Sequence, residues 1–303
     1  MIRYAAIILA CVIVVYLFAA GFLYIRQDRL VFPAEATPLD DPAALIPGAR
    51  MVVLHTRDNL DLKAYYRPPA DHGPVLLYLH GNAGSIASRA HRFALMAQGE
   101  TGLLAVEYRG YAGNPGQPSE DGLALDAEAA MNFLHGQDIA PGQIVLYGES
   151  LGTNVAVRTA LAFPAAGLVL DAPYTSIADV AASRYPYMPV RLLLRNRFDT
   201  LGRIAGLKMP LLVMRTLRDG TVPPTQSLSV FNCARAQADM DNPAWYAFNP
   251  DRKWRSVCGN GVHRKNHDTG SPLGSCNDGI RPSFPKRGAY QRKAFPIVKM
   301  SSE

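Results

Sequence analysis

The chain reads as an α/β protein whose central, mostly parallel sheet is covered by helices on both faces. From Val75 onward, short apolar runs alternate with segments of helical period, the pattern of strand and crossover helix. The runs are continuously apolar, as strands buried on both faces require. Over 303 residues, 49% hydrophobic and 18% charged composition fits one large domain with an apolar appendage.

The appendage comes first. Tyr4 to Ile25 holds no charged residue, and a helix of that length, at about 1.5 Å per residue, spans the roughly 30 Å hydrocarbon layer. Residues 4–25 are therefore expected to form a transmembrane helix, with the lipid bilayer as partner and a single-pass membrane location. A cleaved signal peptide fits less well, because the run exceeds the usual apolar core and no small-x-small site precedes Arg26 and Arg29. Arg3 on one side faces Arg26 and Arg29, offset by Asp28, on the other, so the charge bias does not orient the span.

A Pro- and Ala-rich linker, Phe32 to Gly48, leads into two alternating segments, 49–56 and 60–66, split by Arg57-Asp58-Asn59 and read as a hairpin at a sheet edge. Strands follow at 75–79, 102–107, 143–147, 167–170 and 210–214, with helices near 86–98, 119–135 and 151–162. The stretch 173–207 breaks the rhythm with Tyr185-Pro186-Tyr187-Met188-Pro189 and with Arg191, Arg195 and Arg197. It reads as a short cap within a domain spanning 30–224. Those arginines serve either substrate selection or membrane contact, or are simply solvated.

Gly148-Glu149-Ser150-Leu151-Gly152 sits between the strand ending at Tyr147 and a helical pattern. That is the context of a strained strand-to-helix turn that lifts a serine hydroxyl to the sheet's edge, with glycines where side chains would collide with the neighbouring strand and helix. Ser150 is accordingly the candidate nucleophile. The strand 75–79 delivers His80-Gly81-Asn82-Ala83-Gly84 where an oxyanion-binding loop belongs, and the backbone N–H groups of Asn82 and Leu151 are the candidate donors. A serine needs a base, and the base needs an acid to orient it. Asp219, in a loop beyond the strand 210–214, is the candidate acid; Asp171, at the end of the strand after the nucleophile helix, is its rival. His80 precedes the serine and reads as a brace of its own loop.

These motifs resemble the Bem46-type branch of the α/β-hydrolases, related to the membrane-associated ABHD serine hydrolases. The resemblance is carried by Leu79 to Gly84, Glu107-Tyr108-Arg109-Gly110-Tyr111, Gly113-Asn114-Pro115-Gly116, Pro118-Ser119-Glu120, Tyr147 to Gly152, Ala172 to Ser176 and Asp219 to Pro223. It implies an α/β-hydrolase fold and a single-pass membrane protein with a serine esterase or thioesterase-like site acting on a small or acyl substrate.

Beyond Pro223 the family pattern continues with a helix, a last strand and a Gly-His, and here the sequence is read as departing from it. The segment 242–256 is read as holding no run of four apolar residues that could form a buried final strand, and His263 and His267 are the remaining candidates for the base. Both tryptophans, three of four cysteines and five of seven lysines lie beyond residue 224. So atypical a tail, 225–303, reads as a frameshifted or fused segment. A chain without a working base is the alternative function: a non-catalytic hydrolase-like protein.

The net charge of +6 resides in that tail, since residues 1–224 hold equal numbers of basic and acidic side chains. The high isoelectric point is thus no argument for nucleic-acid binding. Cys233, Cys258 and Cys276 lack the close pairing of a zinc site. No cofactor or metal is called for.

Overall fold

The computed structural model describes residues 1–215, 220–237, 245–249 and 252–256, with backbone alone for 235–237 and the last two segments. Asp219, His263 and His267 lie outside the described residues.

Nine strands form one sheet: β1 (Arg50–His55), β2 (Asp61–Arg67), β3 (Val75–Leu79), β4 (Gly102–Val106), β5 (Ile144–Glu149), β6 (Gly167–Asp171), β7 (Leu211–Met214), β8 (Trp245–Asn249) and β9 (Arg252–Ser256). Their order is β1-β2-β4-β3-β5-β6-β7-β8-β9. β4 through β8 are parallel, while β1, β2 and β9 run antiparallel to their neighbours. The expected edge hairpin is present, turning through Asn59 at φ +63°. Between the strands run α2 (Ala90–Met96), α3 (Glu120–Gly136), α4 (Gly152–Ala162) and, between β6 and β7, the short helices α5 (Ile177–Arg184), α6 (Val190–Leu193) and α7 (Leu201–Ile204).

Alternation along the strands sends side chains to two cores. Leu77, Leu79, Leu104, Val106, Leu146 and Leu170 pack with α3 and α4 on one face. Tyr78, Tyr147, Leu103 and Ala105 pack with Phe93 of α2 on the other, the two tyrosine rings stacked 4.9 Å apart. Because β4 lies on one side of β3 and β5 on the other, connections diverge at the carboxyl ends of β3 and β5, and a crevice forms there.

Two features depart from the sequence reading. A helix, α8 (Pro224–Gln237), follows Pro223, and β8 extends the parallel sheet beside β7. Val230, Phe231 and Ala234 of α8 are buried in the larger core. Ala244 to Phe248 is an unbroken apolar run rich in aromatic residues, which favour strands, so the sequence does carry a strand signal here, contrary to the expectation for 242–256.

The N-terminal helix α1 (Ile2–Val31) is long and apolar enough to cross a membrane. It is exposed through Phe18, then lays Ala19, Leu23, Gln27 and Val31 against the domain at one-turn spacing, with Gln27 buried.

Candidate active site

Ser150 occupies the turn between β5 and α4 at φ +48°, a left-handed conformation unusual for a residue with a side chain. Three hydrogen bonds hold it there. Its N–H donates to the Asp171 carbonyl at 2.8 Å, and its carbonyl accepts from the Thr153 N–H at 2.9 Å and the Thr153 hydroxyl at 2.6 Å. The flanking glycines have the expected cause. A Cβ on Gly152 would lie 2.0 Å from the Leu79 carbonyl oxygen, and one on Gly148 would lie 2.5 Å from the carbonyl oxygen of Gly152. Nothing larger fits between the helix start and the end of β3.

The half-buried Ser150 borders a cavity of about 260 Å³ together with Asn82, Leu151, Tyr174, Thr221 and Val222. Among the described residues, neither the Leu151 N–H nor the Asn82 N–H donates a hydrogen bond. The Asn82 carbonyl is instead fixed by the Tyr111 hydroxyl at 2.9 Å, and the Leu151 carbonyl by the buried Tyr174 hydroxyl at 3.2 Å. Burial pushes the Tyr174 phenol well above its ordinary pKa, so it stays a donor.

His80 does not reach the serine. It is buried between the rings of Tyr108 and Tyr111, its Nδ1 2.6 Å from the Gly81 carbonyl oxygen. Its Nε2 stands 3.1 Å from Glu107 Oε1, misaligned for a hydrogen bond. The other Glu107 oxygen accepts the Ile86 N–H at 2.8 Å, so His80 and Glu107 brace both ends of the 81–86 loop. Asp171 contributes backbone to the turn, but its carboxylate is bound by Arg92 and by the Tyr147 hydroxyl.

Sequence reasoning misses two parts of the site. Arg89 donates from Nε and Nη2 to the Glu149 carboxylate and from Nη2 and Nη1 to the carbonyls of Ala83 and Ser85, joining loop to turn. Burial raises the Glu149 pKa, but the hydrogen bonds and charge of Arg89, with the Tyr78 hydroxyl, outweigh it and leave the net shift downward. The second part is α1 itself. Leu23, Gln27, Leu30 and Val31 line the cavity together with Ile177, Met188 and Leu193. Gln27, a polar residue ending an apolar run, is the only sequence signal for this; its Oε1 accepts the Arg195 N–H at 2.7 Å and its Nε2 donates to the Leu193 carbonyl at 3.2 Å.

Residues 76–270 match the model of the alpha/beta hydrolase family. The chain belongs to the α/β-hydrolase family. An uncharacterized protein of Mycobacterium tuberculosis, Rv2307c, is 41% identical over 225 residues, covering 72% of this chain and 80% of the relative. Protein bem46 of Schizosaccharomyces pombe is 29% identical over 239 residues, covering 74% and 80%, in keeping with the Bem46-type motifs. Among solved structures, the Pyrococcus furiosus esterase Pf2001 superposes with a TM-score of 0.58 at 21% identity over 72% of this chain and 89% of the esterase. That likeness establishes the shared hydrolase architecture.

Proposed function

We propose that this hydrolase is a membrane-anchored serine enzyme that cleaves an ester, thioester or amide through an acyl-enzyme on Ser150. One observation carries the reading: a serine held at φ +48° borders a cavity beside the two non-donating amides of Leu151 and Asn82. The Ser150 Oγ attacks the substrate carbonyl as its proton passes to a histidine, and the tetrahedral oxyanion is received by those two amides. Collapse expels the leaving group, which takes the proton back, and water then releases the acyl group by the same path in reverse order.

Asp219 is proposed as the acid that orients the base. Thr221 and Val222, two and three residues beyond it, line the cavity, and two residues reach at most about 7 Å. The bound state of the Asp171 carboxylate favours Asp219 over its rival. His263 or His267 supplies the base. The esterase among the structural relatives agrees with this chemistry, and α1, exposed and apolar through Phe18, agrees with a single-pass membrane location.

A second reading, a chain with no working base, rests on the sequence, which holds no histidine between Asp219 and His263 where the Gly-His of the family pattern would stand. A fluorophosphonate probe separates the two. Labelling that disappears in Ser150→Ala, and falls steeply in either His263→Ala or His267→Ala, supports the enzyme; an unlabelled wild-type chain supports the second reading.

A further inference from the structure

We propose that the segment from Tyr185 to Arg197 is a second membrane-docking surface, which enters an anionic lipid leaflet alongside α1. The inference rests on the reading of α1 as a membrane span and adds to it a lipid contact made by the catalytic domain.

The first argument is length. The part of α1 that precedes its hydrogen bond to the domain at Tyr16 runs from Ile2 to Val15, which at 1.5 Å per residue covers about 21 Å of a hydrocarbon layer roughly 30 Å thick. The remaining apolar length, including exposed Phe22 and Ile25, is flanked by protein. Immersing all of it brings the adjacent protein about 9 Å into the leaflet, within the range of about 5–10 Å at which interfacial helices lie.

The second argument is which protein lies there. The Tyr16 hydroxyl donates to the Tyr187 carbonyl at 3.0 Å, so this tip reaches further along α1 than the Gln27 contacts do. Tyr187 is 87% exposed and Leu192 82% exposed, large apolar side chains that the core does not use. With Tyr185, 41% exposed, they place three large side chains on one short segment, the kind of grouping that marks a membrane contact rather than a scattered surface residue.

The third argument is charge. Arg191, Arg195 and Arg197 punctuate the segment; Arg191 pairs with Asp179 and Arg195 with Asp28. The Arg195 guanidinium also lies over the Tyr24 ring and that of Arg26 over the Phe22 ring, 5.4 and 5.6 Å from the centroids. Residues 185–197 hold three arginines and no acidic side chain, and Arg197 donates to the Arg191 carbonyl rather than to an acid; tyrosine with arginine is the composition of the lipid headgroup zone, and an unbalanced basic segment there selects anionic lipid. The same two elements wall the Ser150 cavity through Leu30 and Met188, which gives an acyl chain a route from leaflet to serine that avoids water.

The test uses the full chain with its native cysteines replaced by serine. Single cysteines at Val14→Cys, Tyr187→Cys, Leu192→Cys and His72→Cys are labelled with an environment-sensitive fluorophore. The proteins are reconstituted in phosphatidylcholine vesicles with and without phosphatidylglycerol, carrying nitroxide-labelled lipids. The expected result is strong quenching at 14, and several-fold greater quenching at 187 and 192 than at 72, increased by phosphatidylglycerol. Quenching at 14 with 187 and 192 as dark to the nitroxide as 72 overturns the docking surface and leaves the anchor standing. No quenching at 14 overturns the anchor and the inference with it. Shielding at 187 that grows with protein density and ignores the nitroxide indicates a second copy of the chain, and also overturns the proposal.

Discussion

Arg89 grips the carboxylate of Glu149 with two nitrogens, Nε to Oε2 at 2.6 Å and Nη2 to Oε1 at 3.1 Å, one residue before the serine. Since the same guanidinium binds the carbonyls of Ala83 and Ser85, it sets the distance between the Asn82 amide and Ser150. Arg89→Met is expected to leave the Glu149 carboxylate without its cation, held by the Tyr78 hydroxyl alone, and to loosen the loop. A misplacement near 1 Å can cost about a hundredfold in rate, so fluorophosphonate labelling of Ser150 should slow by about ten- to a hundredfold. The protein should remain folded, with a lower melting temperature. Unchanged labelling would show that the loop holds its place without the ion pair.

The same pair fixes a pH dependence. The folded Glu149 carboxyl lies below its ordinary value of 4.5, despite burial, because Arg89 favours the anion. A depressed carboxyl contributes stability that is complete above the unfolded value and is lost as pH falls through the folded one. Wild-type protein should therefore lose stability to denaturant below about pH 4.5. Glu149→Gln, less stable at neutral pH, should show a flatter profile in that window.

Gly152→Ala tests the packing of the turn. Its methyl group would fall 2.0 Å from the Leu79 carbonyl oxygen, a backbone atom that cannot swing aside. Overpacking of this kind costs about 3 kcal/mol or more, and labelling of Ser150 should be lost with it. Gly136→Ala at the end of α3 meets nothing within 4 Å. Gain of helix propensity there should raise stability by up to about 1 kcal/mol. Calorimetry of both variants checks the contrast.

The strands that build the site are legible in the sequence because each is a continuous apolar run bounded by glycine or proline, and Ser150, Asn82 and Leu151 are legible because their motifs fix local backbone. What escapes has tertiary causes. Arg89 and Glu149 are sixty positions apart, and nothing local to either announces the other. The charge-free run stops at Ile25, yet α1 continues to Val31, and only packing reveals that its last two turns wall the cavity. β8 is different: the apolar run 244–248, rich in strand-favouring aromatics and bounded by Asn-Pro on both sides, makes it legible, and it is missed only when the composition of the whole tail is weighed above that local signal.

α8 gives a direct test of where the folded domain ends. Val230 is fully buried and Phe231 is 5% exposed within the larger core, while the Ser227 hydroxyl donates to the Pro173 carbonyl at 2.6 Å. Phe231→Ala should cost about 3 kcal/mol or more. A chain ending at Pro224 should lose cooperative thermal unfolding, because the core face covered by Val230 and Phe231 would be opened to water. Equal melting of truncated and full chains would exclude α8 from the core.

The α1 wall predicts a selectivity that a free-standing hydrolase domain would lack. Val31 borders the cavity with Asn82 and Ser150, so Val31→Phe removes part of its 260 Å³, while the bond that the Asn82 Nδ2 donates to the Val31 carbonyl at 3.3 Å uses backbone that the substitution keeps. A substrate with a two-carbon acyl group still fits, whereas a longer one meets the new ring. Under the proposed serine mechanism, kcat/KM for an eight-carbon p-nitrophenyl ester should fall by about tenfold or more relative to the acetate ester, since each methylene denied burial forfeits about 0.8 kcal/mol. Gln27→Leu acts on the same wall by another cause. It removes the 2.7 Å acceptor of the Arg195 N–H, a hydrogen bond worth about 0.5–1.5 kcal/mol net at a partly exposed site. The segment docked on α1 should then loosen, raising KM for both esters alike while sparing their ratio. The two variants thus separate cavity shape from cavity rigidity, and a chain-length profile identical to wild type in Val31→Phe would remove α1 from the substrate site.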